Sequence, residues 1–190
     1  MDLFEETGAY LRGHFRLTSG LHSAEYLQCA KVLAHPAYAE QLGQQLAGKL
    51  TLVLDSARVD VVVAPAMGGI VIGHEVARAL RALSLFTERD AATNEMTLRR
   101  GFVIAPGAKI VVIEDVITTG GSTKEVVDLL QSLGAEVLAA GSIIDRSGGR
   151  ANVGVARVAL QELNPLAYSP DECPLCKEGL PIVKPGSRRT

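Results

Sequence analysis

The stretch that decides the fold runs from Lys109 to Thr123 and reads KIVVIEDVITTGGST. It opens on an apolar, β-branched run from Ile110 to Ile113, which is typical of a strand buried in a parallel sheet. Two adjacent carboxylates, Glu114 and Asp115, follow directly. A segment rich in glycine and hydroxyl groups comes next, and the apolar spacing after it predicts a helix that ends near Gly134.

The segment from Thr118 to Thr123 has the composition of a phosphate-binding loop. Ser122 and Glu125 have the spacing of a capping box, which predicts that the helix begins at Ser122. The free N–H groups and positive dipole end of this helix then face the loop, where glycine lets successive N–H groups converge on one anion. The two preceding carboxylates repel phosphate, so a sugar diol or a magnesium ion is their natural partner.

Two other phosphate motifs are excluded by spacing, because the chain has no GxxxxGK[ST] and no GxGxxG after this strand. A strand, turn and helix with acids at the strand end also occurs in α/β proteins that lack a phosphate site. The complete pattern instead resembles the phosphoribosyl-pyrophosphate signature of the type I phosphoribosyltransferases. The resemblance implies an α/β fold in which helices flank a central, mainly parallel sheet, with a small N-terminal hood.

The composition is that of a soluble globular protein. The chain has 190 residues, 47% hydrophobic and 21% charged, which predicts a single domain over 1–190 with an irregular tail at about 164–190. A net charge of −2 gives no electrostatic case for nucleic acid or an anionic membrane. No apolar run approaches the length of about 20 residues that a membrane span needs. An acidic N-terminus unlike a signal peptide, and an odd set of three cysteines, predict a reducing, cytoplasmic location.

The N-terminal segment at about 13–30 alternates in polarity in parts, which predicts a β-hairpin. From Phe15 it reads FRLTSGLHSAEY, a form that resembles the hood of the orotate phosphoribosyltransferases. The resemblance implies that Tyr26 and Leu27 close over the orotate ring. Members of this family commonly have a lysine just before the Ser-Gly pair, where this chain has Thr18.

A second glycine loop follows the next predicted strand upstream, which ends at Pro65. In the resembled family this loop binds pyrophosphate, and many members have a lysine where Gly68 or Gly69 stands here. Backbone amides at the start of the following helix then bind the phosphate groups. The alternative interpretation is close packing of a strand on a helix through glycine.

A strand is predicted from Leu98 to Val103, and the polar segment 88–96 before it has no apolar period, which predicts a mobile loop at 88–100. In the resembled family this loop closes over the active site of the neighbouring subunit, which implies a homodimer. Arg89 matches the position of a lysine that stabilises the departing pyrophosphate electrostatically. Arg99 and Arg100 either replace further cations of that loop or lie at a solvated strand edge.

The resemblance assigns the remaining site residues. Arg146 meets the orotate carboxylate and Thr118 hydrogen-bonds the same base, whereas the structural alternative pairs Arg146 with Asp145. The implied catalytic residues are Arg89, Glu114 and Asp115. Magnesium is held mainly by the substrate, with no direct protein ligand. The residues implied to bind phosphoribosyl pyrophosphate are Glu114, Asp115, Val116, Ile117, Thr118, Thr119, Gly120, Gly121, Ser122, Gly68, Gly69 and Arg89.

The C-terminal tail contains Cys173 and Cys176 in a CPLC sequence. A lone CxxC supplies two of the four ligands of a structural zinc site, and the chain has no second pair. Cys29 is far away in sequence, although a dimer would be able to pool four thiolates. A turn with reduced cysteines is the interpretation we favour over a metal site or a redox pair. His22, in the hood, is either a solvated loop histidine or a substitute for the missing cation.

The resemblance therefore implies an orotate phosphoribosyltransferase of pyrimidine synthesis. Such an enzyme transfers ribose 5-phosphate from the magnesium complex of phosphoribosyl pyrophosphate to orotate, giving orotidine 5′-phosphate and pyrophosphate. One alternative is a phosphoribosyltransferase for another base, such as a purine, which should lack the hood. The other is a non-catalytic sensor of phosphoribosyl pyrophosphate, which the missing lysines favour and the lack of a DNA-binding domain disfavours.

Overall fold

The computed structural model describes residues 1–17, 19–164 and 166–185. Thr18, at the position of the expected hood lysine, lies outside the described residues. The elements in chain order are α1 (Asp2–Glu6), β1 (Tyr10–Arg16), β2 (His22–Leu27), α2 (Cys29–Leu33), α3 (Pro36–Val53), β3 (Val61–Pro65), α4 (Gly69–Leu80), β4 (Leu83–Arg89), β5 (Met96–Leu98), β6 (Lys109–Ile117), α5 (Gly121–Ser132), β7 (Glu136–Asp145), β8 (Ala156–Glu162), β9 (Ala167–Tyr168) and α6 (Pro174–Lys177).

The chain divides into two compact units. Unit 1 combines Met1–Ala34 with Asn164–Thr190, and unit 2 comprises His35–Leu163. The assignment of one domain to 1–190 stays a prediction. No helix in the described part of the chain is long and apolar enough to cross a membrane.

Unit 2 is built on a six-stranded sheet with the order β5-β4-β3-β6-β7-β8. Strands β4, β3, β6, β7 and β8 pair in parallel, and β5 pairs antiparallel with β4. The predicted mainly parallel α/β sheet is therefore confirmed. From β3 the chain first adds β4 and β5 on one side, and then returns to add β6 on the other. Ligands of open α/β sheets bind at such a switch point, outside the carboxyl ends of the strands.

The core of unit 2 is aliphatic, as expected from 4% aromatic residues. The apolar run from Ile110 to Ile113 is completely buried in β6. Alternate side chains point to opposite faces of the sheet. Ile110 and Val112 pack in a cluster with α5, and β3, β4 and β6 also pack against α4. Helices thus cover the sheet, and this burial is the main stabilising term for the strands that form the site.

The segment after β4 differs from its prediction. Strand β4 continues to Arg89, and the antiparallel partner β5 begins at Met96, so 88–98 is a β-hairpin with a turn at 90–95. The strand predicted from Leu98 to Val103 is wrong, because β5 ends at Leu98. The chain turns there, since Arg100 and Gly101 have positive φ angles of 60° and 75°, which an extended strand does not allow.

Unit 1 contains the predicted hairpin, with β1 and β2 antiparallel and Tyr10 opposite Leu27. The C-terminal segment joins this hairpin. Strand β9 pairs with β2, and the N–H of Val183 donates to the carbonyl oxygen of His14 at 2.8 Å. The tail therefore contains a strand and the short helix α6 where the sequence predicted irregular structure.

Candidate active site

The candidate site lies in unit 2, where β3 and β6 end. The two strands are parallel neighbours, with Val61 opposite Ile110. Each leads through a short glycine-containing turn into a helix, β3 into α4 and β6 into α5. The sequence placed Glu114 and Asp115 after the strand, whereas the structure places them inside β6. Glu114 lies opposite Ser142 of β7, so pairing to β7 fixes the backbone that presents both acids.

Helix α5 begins one residue earlier than predicted and uses a different cap. Its N-cap is Gly120, with φ of +83°, and no side chain caps the helix. Ser122 and Glu125 thus form no capping box. An ideal Cβ at Gly120 would lie 3.0 Å from Cγ1 of Val153 and 3.1 Å from Cβ of Ala151, so glycine fits both the backbone angle and the space. The N–H of Gly121 donates to Oγ1 of Thr119 at 3.4 Å. The first N–H groups of a helix have no partner within it, so the Thr118–Ser122 loop at this helix start remains suited to phosphate.

The loop after β3 approaches Asp115 directly. An ideal Cβ at Gly68 would lie 2.6 Å from Oδ1 and 2.7 Å from Oδ2 of Asp115. At Gly69 it would lie 2.9 Å from the carbonyl oxygen of Ile113. A side chain at Gly68 would require the Asp115 carboxylate to move, and one at Gly69 would meet the backbone of β6. The peptide bond between Ala66 and Met67, at the start of this loop, is cis.

The two carboxylates differ in their partners. The hydroxyl of Thr123, on the first turn of α5, donates to Oε2 of Glu114. The N–H of Val116 donates to Oδ1 of Asp115 at 2.9 Å. The pKa of Glu114 is raised from 4.5 to about 7. Burial is the main cause and the nearby charge of Asp115 adds to it, while the hydrogen bond from Thr123 and the charge of Arg89 act in the opposite direction. Burial also raises the pKa of Asp115.

Arg89 lies at the end of β4, beside these acids. Its Nη1 donates to Oε2 of Glu125 at 2.8 Å and to the carbonyl oxygen of Asn94 at 2.7 Å. The side chain is 36% exposed, and its charge lowers the pKa of Glu114. The structure therefore brings Arg89 to the electrostatic vicinity of the acids within one chain.

Arg99 and Arg100 do not join this cluster in the same way. Arg100 forms a bidentate pair with Glu88 at 2.7 and 2.8 Å, and its guanidinium lies 5.6 Å from the ring centroid of Phe86. The hydrogen bond from Arg100 lowers the pKa of Glu88, and the N–H groups of Ala92 and Thr93 lower the pKa of Asp90; the positive charge of Arg99 adds to both effects. Both arginines thus act on acids of the β4–β5 hairpin.

Arg146, the residue predicted to contact the base, directly follows β7. The N–H of Arg146 donates to the carbonyl oxygen of Ile117 at 2.7 Å, which places it next to the loop that contains Thr118. The neighbouring Asp145 accepts a hydrogen bond from Nη1 of Arg157 and one from the N–H of Ser147 at 2.7 Å. Arg157 is therefore an ion-pair partner of Asp145 that the sequence did not reveal, because it comes from the adjacent strand β8.

Unit 1 contains the hood residues and a cluster that sequence reasoning missed. Leu27 is buried in its sheet, and the ring of Tyr26 lies 5.8 Å from that of Phe15. His14 was not singled out as a candidate, although it and His22 lie on facing strands. The structure brings both histidines to Cys173 and Cys176 of the tail.

The comparisons with known proteins all point to one family. A sequence profile described as the phosphoribosyl transferase domain matches residues 30–162. An orotate phosphoribosyltransferase of Desulforamulus reducens is 53% identical over 189 residues, which cover 100% of this chain and 96% of that protein. One of Thermotoga maritima is 51% identical, over 98% of this chain and 97% of its own length. The crystal structure of orotate phosphoribosyltransferase from Aeropyrum pernix superposes with a TM-score of 0.69 at 27% identity, covering 85% of this chain and 92% of that one.

Proposed function

Because this chain belongs to the phosphoribosyl transferase family, and within it to the orotate phosphoribosyltransferases, we propose that the ends of β3 and β6 form its binding site for phosphoribosyl pyrophosphate. The chain is an enzyme, a pentosyltransferase that makes orotidine 5′-phosphate and pyrophosphate in pyrimidine biosynthesis. The observation that supports the site most strongly is the approach of the Gly68 loop to the Asp115 carboxylate, beside the N-terminus of α5.

The substrate has three parts that need three kinds of partner. The 5′-phosphate is placed in the Thr118–Ser122 loop, where backbone N–H groups and the helix dipole favour an anion. The ribose hydroxyls donate to the carboxylates of Glu114 and Asp115. The pyrophosphate lies over the backbone at Gly68, where the lack of a side chain permits close approach.

The reaction needs positioning and charge stabilisation more than acid–base chemistry. The bond from the anomeric carbon to the pyrophosphate oxygen breaks, and a bond from the orotate ring nitrogen to that carbon forms. The proton of that ring nitrogen leaves to solvent as orotate binds, so the nitrogen brings an electron pair to the carbon, and the pyrophosphate leaves with the electron pair of the broken bond. Arg89 stabilises the negative charge on the leaving group, while the loops hold both reactants in line.

Magnesium fits the donor set, because Glu114 and Asp115 offer the hard carboxylate oxygens that this ion prefers. When bound with the substrate, it neutralises charge on the pyrophosphate. We place it mainly on substrate oxygens, with the two carboxylates facing the ribose.

The orotate site rests on family resemblance together with the position of Arg146 beside the Thr118 loop. Arg146 pairs with the orotate carboxylate, and Thr118 hydrogen-bonds the ring. The contacts of Tyr26 and Leu27 with the ring stay a prediction from the hood sequence. A homodimer in which the 88–100 segment reaches the neighbouring active site, and a cytoplasmic location, belong to the same proposal.

The proposed transfer is tested by ³¹P NMR, which detects both phosphorus-containing products. The enzyme is mixed with magnesium, phosphoribosyl pyrophosphate and orotate, and the ³¹P resonances are recorded over time. Inorganic pyrophosphate and a new phosphomonoester should appear in equal amounts and only when orotate is present. Pyrophosphate release that does not depend on orotate would contradict the proposed transfer.

Replacing Gly68 with alanine should lower kcat/KM for phosphoribosyl pyrophosphate by about 10²-fold, because a misplacement of about 1 Å in the site has an effect of that size. The new Cβ would displace the Asp115 carboxylate, from which it is 2.6 Å away. Gly48→Ala is the matched control, since a Cβ there meets no atom within 4 Å. Steady-state kinetics of both variants measure the effect, and equal kcat/KM values would contradict the assignment.

The affinity for phosphoribosyl pyrophosphate should weaken as the pH falls below about 7, because only the ionised form of Glu114 accepts two ribose hydroxyls. The decrease should approach about tenfold per pH unit, by proton linkage. Calorimetric titration at several pH values measures this change in affinity. The variant Glu114→Gln cannot titrate at this position, so its pH dependence shows how much the ionisation of the substrate phosphates contributes. The same slope in both proteins would contradict the role of Glu114.

The raised pKa of Glu114 also makes the stability of the ligand-free protein depend on pH, in the direction opposite to that of substrate affinity. Between pH 4.5 and about 7 the folded state holds a proton on Glu114 that the unfolded state has lost. The contribution of this group to the free energy of unfolding therefore decreases as the pH rises through that window.

A further inference from the structure

Four side chains with metal-binding atoms converge in unit 1, and none of them is among the residues assigned to catalysis. They are His14 on β1, His22 at the start of β2, Cys173 at the N-cap of α6, and Cys176 within α6. One atom from each residue lies within 4.8 Å of the other three. We propose that this Cys₂His₂ cluster binds one zinc ion, which joins the C-terminal segment to the hood hairpin.

The distances fit a tetrahedral zinc site. Zinc with Zn–N bonds of about 2.05 Å and Zn–S bonds of about 2.3 Å separates two nitrogens by about 3.3 Å, and a nitrogen from a sulfur by about 3.6 Å. Nε2 of His14 and Nδ1 of His22 are 3.1 Å apart. Nε2 of His14 is 3.6 Å from Sγ of Cys173 and 3.7 Å from Sγ of Cys176, and Nδ1 of His22 is 3.3 Å from Sγ of Cys176.

The environment of His14 orients its ring for metal binding. Nδ1 of His14 lies 2.9 Å from the carbonyl oxygen of Leu180, so it is the nitrogen that holds the proton and donates it there. Nε2 then has a lone pair that faces the cluster. A backbone carbonyl that accepts from the second nitrogen is the usual outer partner of a metal-binding histidine.

Burial and charge also favour a closed structural site. His14 is 4% exposed, His22 is 6% exposed and Cys173 is fully buried, while Cys176 is exposed and leaves a path for the ion. Two thiolates neutralise the charge of a divalent zinc ion, so the complete site has no net charge to bury. Sulfur and imidazole ligands select zinc over magnesium or calcium, which prefer oxygen.

The interpretation favoured from the sequence, a turn with reduced cysteines, explains less of the structure than a metal site does, and so does a redox pair. A turn with reduced cysteines needs no histidine, and a redox pair needs no more than the two sulfurs, which are both free thiols here. Neither explains why two buried histidines point a nitrogen at the sulfurs. Among the described residues, the tail also joins the hairpin through the pairing of β9 with β2 and through backbone hydrogen bonds of Val183. Small units commonly need a metal or a disulfide for stability.

The test measures zinc by elemental analysis of untagged protein purified without chelator. We expect about one zinc per chain, and at least about a tenfold decrease in bound zinc in Cys176→Ser, whose exposed position disturbs the core least. Cys29→Ser and His74→Gln are matched controls outside the cluster, and both should retain the metal. Wild-type protein that neither contains zinc nor takes it up after reduction, or Cys176→Ser with full zinc, would overturn the proposal.

A second measurement uses the wild-type chain and does not depend on any variant folding. Cobalt(II) added to the zinc-depleted protein should give the intense visible bands of a tetrahedral ion and a thiolate charge-transfer band. Added zinc should abolish both, and depletion should lower Tm. The weak spectrum of octahedral cobalt would show that the four side chains do not bind the ion together.

Discussion

The Asp115→Asn variant should lose about 10²- to 10³-fold in kcat/KM for phosphoribosyl pyrophosphate, the effect of removing one well-placed electrostatic partner in an enzyme site. Asparagine keeps the shape and the oxygen that accepts the N–H of Val116, but loses the charge that binds a ribose hydroxyl. Because burial raises the pKa of Asp115, its charge is unfavourable in the folded protein. The variant should therefore unfold at the same or a higher Tm.

This combination separates a binding role from a structural one. Asp128→Asn is the matched control, since Asp128 lies on the exposed face of α5 and pairs with Lys124 at 2.8 Å. That control should keep its kinetics. Near-normal kinetics in Asp115→Asn would remove the ribose assignment, and a large decrease in Tm would show that the carboxylate stabilises the fold instead.

Arg89→Ala should lower kcat by about 10²-fold while leaving KM for orotate nearly unchanged, because the guanidinium acts on the departing pyrophosphate. Arg89→Lys keeps the charge and should recover most of the rate. Removing the charge should also raise the pKa of Glu114, since Arg89 lowers it. The pH at which substrate binding weakens should then move upward in the alanine variant.

Arg78→Ala serves as the control for loss of an exposed arginine, since Arg78 pairs with Glu40 and Glu75 on the surface of α3 and α4. It should have wild-type kinetics. Full turnover in Arg89→Ala would assign the leaving-group charge to Arg99 or Arg100 instead.

The sequence was sufficient to predict the parallel sheet and the succession of strand, acids, loop and helix at the candidate site, because local residues determine these features. The β-branched run ending at Ile113, the two acids and the glycine turn are consecutive, and each constrains its neighbours. The helix start was wrong by one residue. Gly120 caps α5 with a positive φ angle. Glu125 pairs with Arg89, which is distant in sequence, and a capping rule based on local spacing does not include such a partner.

Contacts between distant segments were the part that sequence reasoning did not supply. The close approach of the Gly68 position to the Asp115 carboxylate, for example, joins residues 47 positions apart in the chain. In the same way, Cys173 and Cys176 supplied half of the proposed zinc site, and the other half is His14 and His22, with His14 159 residues before Cys173. Such pairs follow from the fold and not from spacing along the chain.

The transfer to orotate is tested most simply by the loss of orotate absorbance after mixing the enzyme, magnesium, phosphoribosyl pyrophosphate and orotate. Adenine, hypoxanthine and uracil are run as parallel acceptors. We expect turnover with orotate and no turnover with the other three bases. Turnover with another base in place of orotate, or tight binding of phosphoribosyl pyrophosphate without turnover of any base, would contradict this expectation.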